Sequence, residues 1–123
     1  MEAEAVLGII KLWELRQLEL VASQSLLFEA NQNTNPVRKS YILEILQKVD
    51  QFIDLSDQVE NRSRKFVDMG VKPMDSLHLA SAIEAKADYF CTCDDRLLKK
   101  AKLLDTEPTK VFSPLELALE LNL

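Results

Sequence analysis

Asp75 in "KPMDSLHLASA" and the pair Asp94–Asp95 in "CTCDDRLL" bracket one helix-like stretch and one strand-like run, and Glu29 lies upstream in "SLLFEANQ". Carboxylates held close together repel and raise one another's pKa unless a cation sits between them. An all-oxygen donor set favours Mg²⁺ or Mn²⁺, ions that keep several waters and also bind phosphate. A metal held this way polarises a phosphodiester and lowers the pKa of an attacking water. Metal-assisted phosphodiester hydrolysis is the chemistry that Glu29, Asp75 and Asp94 would support together. His78, the single histidine, lies one turn from Asp75. Its expected role is packing on the helix rather than ligation or base catalysis.

The elements decide whether these side chains can meet. Residues 2–17 read as an amphipathic helix with Val6, Ile9, Ile10 and Trp13 on one side. "LELVAS" follows as a short strand at 18–22, and Ser23 or Ser25 suits the cap of the helix carrying Glu29. Asn35 and Pro36 open another helix, "QFIDLS" is extended, and Ser56 or Asp57 caps a helix reaching Met69. Gly70 suits a left-handed helix end. Pro73 biases Lys72 toward an extended conformation, which makes Asp75 the expected cap of "SLHLASAIEAKA". "DYFCTC" at 88–93 reads as a buried strand, Asp94 and Asp95 cap the next helix, and "KVFS" precedes a terminal helix opened by Pro114.

Alternating strands and helices predict an α/β fold, helix-rich, with a short parallel sheet covered on both faces. Helices that follow parallel strands start at the carboxyl edge of the sheet, where ligands bind. Glu29 and Asp94 each follow a strand. The helix begun by Asp75 runs antiparallel to the strand it feeds, so its start reaches the same edge. Taken singly, each acid also has an ordinary explanation: a cap for Asp75 and Asp94, a solvent-facing position for Glu29.

Composition narrows the function classes. The chain has 123 residues, 47% of them hydrophobic, which suits one domain with a real core. The formal charge of −5 argues against passive binding to nucleic-acid phosphates but leaves room for an acidic, metal-bridged pocket. Glu2 and Glu4 stand where a signal peptide carries positive charge, and no apolar run is long enough for a bilayer. A cytoplasmic location with no membrane association is expected. Cys91 and Cys93 alternate on a strand and lack companion ligands, so buried, unpaired thiols are expected.

The stretch "KPMDSLHLASAIEAKADYFCTCDDRLLKKAK", followed by "VFSPLELALEL", resembles the PIN-domain family. These are metal-dependent ribonucleases that include the toxins of bacterial VapBC-type toxin–antitoxin pairs. "SLLFEANQ" resembles the family segment with an early glutamate. The resemblance implies a three-layer α/β/α fold. It implies Mg²⁺ or Mn²⁺ held by Glu29, Asp75 and Asp94, with Asp95 as an additional ligand and Thr92 supporting the strand end. It further implies an RNA substrate, a homodimer and a small antitoxin protein that blocks the cleft.

One departure stands out. The family opens with an apolar strand ending in Asp, and here the sequence enters directly into the first helix, with Asp50 as its first aspartate. That strand belongs at the centre of the sheet, between 18–22 and 88–93. Two expectations follow: a biological start upstream of Met1, or a nuclease-like scaffold whose activity is weak or lost. The incomplete acidic set and the acidic charge also motivate a competing class, a non-catalytic protein-binding module.

Overall fold

Local side-chain chemistry sets most of the helix starts. In the computed structural model, which describes residues 2–123, Ser23 accepts from the Leu26 N–H and opens α2 (Gln24–Asn31). Asn35 caps α3 (Pro36–Leu46), Ser56 caps α4 (Asp57–Asp68) and Asp94 caps α6 (Asp95–Ala101). Ser113 and Glu116 form a reciprocal capping box at the start of α7 (Pro114–Glu120). The first helix, α1, covers Glu2–Glu14 and is three residues shorter than the periodicity suggests, because Arg16 turns left-handed at φ 64°.

Pro73 shifts one boundary. It occupies the first turn of α5 (Pro73–Glu84), so Lys72 takes the cap position and supplies no side-chain cap. Asp75 is therefore inside the first turn, and the expectation that it caps the helix is corrected. Between α4 and α5 the chain reverses at Gly70, whose φ of +97° suits a residue without Cβ.

The strands are short and all pairings are parallel. β1 (Val21–Ser23) pairs with β2 (Gln51–Ile53), with Ala22 opposite Phe52. β3 (Tyr89–Cys91) pairs with β4 (Lys110–Phe112), with Phe90 opposite Val111. Among the described residues the sheet layer thus consists of two two-stranded pairs. α5 packs against both β1 and β3, which makes these the two inner strands, and α4 lies along α5. α1 packs on α7, which in turn packs against β3 and β4. The ends of α1 touch both pairs. Glu2 lies against Cys93 just past β3, and the Trp13 indole N–H donates to Asp50 at 3.0 Å beside β2.

The core is lopsided. Val59 and Phe66 of α4, Leu79, Ala80 and Ile83 of α5, Leu97 and Ala101 of α6, Val71 and Val111 make one buried cluster. α3 contributes nothing to it: no residue of α3 is buried, and Val37 and Tyr41 face solvent. The strand at 88–93 is less enclosed than its composition suggests. Tyr89 and Phe90 are half-buried, and both Cys91 and Cys93 are exposed, which corrects the expectation of buried thiols. A three-residue strand has one neighbour here, and Cys91 already lies at its open end.

Candidate active site at the carboxyl edge of the strands

β1 ends at Ser23, and α2 starts immediately after it, which places Ser25 and Glu29 on successive turns above that strand end. β3 ends at Cys91. Thr92 then donates its backbone N–H to Phe112 O, and its Oγ1 accepts from the Asp94 N–H at 3.1 Å. This fixes Asp94, whose Oδ1 accepts from the Arg96 and Leu97 N–H groups and leaves Oδ2 free of these bonds. Thr92 has the supporting role assigned to it from the sequence.

Asp75 occupies the middle of this arrangement. Partial burial pushes its carboxyl pKa up, and the neighbouring Asp94 charge pushes it further. His78 opposes the shift, Glu29 adds to it and Lys72 slightly opposes it. The residues that act on Asp75 come from α2, α5 and the β3–α6 junction, so the three acids read from the sequence share one electrostatic neighbourhood. Asp95 is exposed on the first turn of α6 and is not among the groups acting on Asp75.

His78 links the two sides. Its Nδ1 lies 3.2 Å from Ser25 Oγ, and Ser25 Oγ lies 2.9 Å from Ser23 Oγ. Its Nε2 lies 3.3 Å from Glu29 Oε2. That separation is close enough for a polar contact, but its geometry falls outside a hydrogen bond and leaves the buried Nε2 without a hydrogen-bond partner among the described residues. Glu29 is half-exposed, and its carboxylate is the polar group that faces this nitrogen. A buried nitrogen left unpaired costs about 1–3 kcal/mol. Sequence reasoning assigned His78 to packing; its contacts with Ser25 and Glu29 join α5 to α2 across the fold, and no local pattern signals them.

The family model of the PIN domain matches residues 2–103. The chain belongs to the PIN-domain family. No curated protein and no solved structure matches it. PIN domains are three-layer α/β/α folds of nuclease type, and the helix layers on either side of the parallel strands agree with that architecture. In this PIN domain the donor set suits a hard divalent cation by its chemistry, three carboxylates with free oxygens and no soft ligand. Among the described residues, however, no three acidic, histidine or cysteine side chains already stand at ligand spacing. Two surface clefts, of about 420 Å³ beside Arg62 and Glu84 and about 610 Å³ beside Pro73 and Leu77, are not lined by Glu29, Asp75 or Asp94. None of the described helices is long and apolar enough to cross a membrane.

Proposed function

We propose that this PIN domain is a divalent-metal-dependent endoribonuclease scaffold of toxin–antitoxin type. In this reading Glu29, Asp75 and Asp94 hold Mg²⁺ or Mn²⁺, and Asp95 borders the site. The observation that carries it is the grouping of Glu29 on α2 and Asp94 at the β3–α6 junction around Asp75 on the first turn of α5, where burial first and these two charges next push the Asp75 carboxyl pKa up. Asp75 does not cap its helix, so its charge has no capping bond to offset this repulsion. A repulsive group with no structural task is what a cation site requires.

A bound cation would supply charge neutralisation of a phosphodiester and activation of water. The protein's own residues do the rest. Asp94 is held by Thr92 and by the first turn of α6, which limits how far its free oxygen can move. Asp75 rises from the first turn of the best-packed helix, beside the fully buried Ser76 and Leu79. Glu29 is half-exposed and faces His78. The acids line an open rim rather than a closed cavity, which suits a polymer such as RNA. A homodimer, a small antitoxin protein and a cytoplasmic location complete the reading.

The test is cleavage of a labelled single-stranded RNA pool with Mn²⁺, comparing the chain with Asp75→Asn, alongside calorimetric Mn²⁺ titration of both. Cleavage and binding that are lost in Asp75→Asn support the reading. An inert chain whose Mn²⁺ titration is the same with and without Asp75 removes it. The wider spacing of the acids favours a second reading, a non-catalytic protein-binding module on the same scaffold. That reading requires a stable complex with a small partner protein that survives chelation of divalent ions.

A further inference from the structure

Four polar contacts join five groups in sequence from the N-terminus of α2 back to its own Glu29, passing through α5. The Leu26 N–H donates to Ser23 Oγ at 3.1 Å. Ser23 and Ser25 hydroxyls meet at 2.9 Å, Ser25 Oγ meets His78 Nδ1 at 3.2 Å, and His78 Nε2 faces Glu29 Oε2 at 3.3 Å. With a neutral imidazole, only one assignment of protons lets every group act in its proper sense. A carboxylate only accepts, so the nitrogen facing it must carry a proton. In the neutral ring Nδ1 is then the acceptor, and Ser25 must donate to it. Ser25 Oγ is left to accept from the Ser23 hydroxyl, and Ser23 Oγ accepts from the backbone. Each donor is polarised by the one before it, all in the same direction. Ser23, Ser25 and the Nε2 atom are buried, so water does not compete for these bonds.

We propose that His78 is a positioning residue, its Nε2–H steering the Glu29 carboxylate toward Asp75, with its tautomer set by the Ser23–Ser25 pair. This rests on the metal-site reading of Glu29 and adds how that ligand is oriented. Without the imidazole, Glu29 has no contact that distinguishes the inward from the solvent-facing rotamers of an exposed helix residue. Hydrogen bonds to ligating carboxylates typically govern 10–100-fold in metal affinity. The acids' mutual repulsion works against an inward Glu29, and the Nε2–H offsets it locally.

Because His78 is the only histidine, its ring nitrogens are read directly by long-range ¹H–¹⁵N correlation on the metal-free, ¹⁵N-labelled chain. At about pH 8 the expected spectrum has a protonated Nε2 and an unprotonated Nδ1. Ser25→Ala is expected to shift the tautomer ratio toward Nδ1–H. The opposite tautomer in the parent, a ring protonated on both nitrogens, or a ratio unmoved by Ser25→Ala overturns the proposal. The second readout is Mn²⁺ affinity from the EPR signal of the free ion. His78→Leu is expected to weaken binding about 10–100-fold, and His78→Gln, whose amide N–H reaches the Nε2 position, to restore most of it. Equal affinity in His78→Leu and the parent overturns the positioning role. If the parent binds no Mn²⁺ at all, the metal-site reading fails, while the nitrogen spectrum still decides the hydrogen-bond chain.

Discussion

Asp75 shows how a single charge is tolerated against its surroundings. Its pKa is raised by partial burial first and by Asp94 next, so the folded chain binds a proton more tightly there than the unfolded chain does. This contribution to stability is fully present below the ordinary carboxyl range. It is lost as pH rises through the folded value, and at pH 7 it stands as a net destabilisation. Asp75→Asn is therefore expected to raise the melting midpoint at pH 7 and to lose that advantage near pH 3; equal midpoints for both proteins at both pH values contradict it. Asp94 behaves differently, since its Oδ1 caps α6. Asp94→Ala is expected to cost about 1 kcal/mol of stability, whereas Asp94→Asn keeps the cap and removes only the charge. Urea unfolding separates the two, and a similar loss in both variants would mean that the charge, not the cap, stabilises α6.

At the scale of elements, what was legible in the sequence is what neighbours in the chain decide. Ser23, Asn35, Ser56, Asp94 and Ser113 cap as their types and places suggest, because an N-cap bond spans two or three residues. Gly70 likewise ends its helix left-handed. Asp75 was misplaced as a cap because Pro73 competes for the first turn, and a proline with φ already helical wins that position. The exposure of Cys91 and Cys93 and of α3 was not legible, since burial depends on what packs from elsewhere in the chain. The same is true of His78 meeting Ser25 and Glu29. The family pattern brought out the three acids, while the hydrogen-bond chain that orients one of them lies outside it. The α4–α5 hairpin that presents Asp75 also makes a prediction. Gly70→Ala forces a Cβ into left-handed backbone with Lys100 Nζ 3.3 Å away. It is expected to cost about 1–2 kcal/mol, read as a lower urea midpoint at unchanged slope; an unchanged midpoint would show that the turn relaxes to another conformation.

Across the whole molecule the candidate site straddles a difference in packing. Asp75 and Asp94 sit on the half that contains the core cluster of α4, α5, α6 and β4, whereas Glu29 and Ser25 sit beside the β1–β2 pair and the solvent-exposed α3. The two strand pairs share no ladder bonds, and α5 and α1 are what connect them. Segments with few buried apolar contacts open at lower free energy than the core. Amide hydrogen exchange is expected to release α3 and β2 first, then α2, and to protect α4 and α5 to the level of global unfolding. On the metal-site reading, a cation shared by Glu29 on one half and Asp75 and Asp94 on the other binds the folded pairing of the two halves and would stabilise it by mass action, about 2.7 kcal/mol at a hundredfold excess over Kd. Saturating Mn²⁺ should therefore slow exchange in α2 and β1 more than in α4, and Glu29→Gln should abolish that difference. Slowing that is equal in all elements would place the ion on the firm half alone, with Glu29 taking no part in holding it.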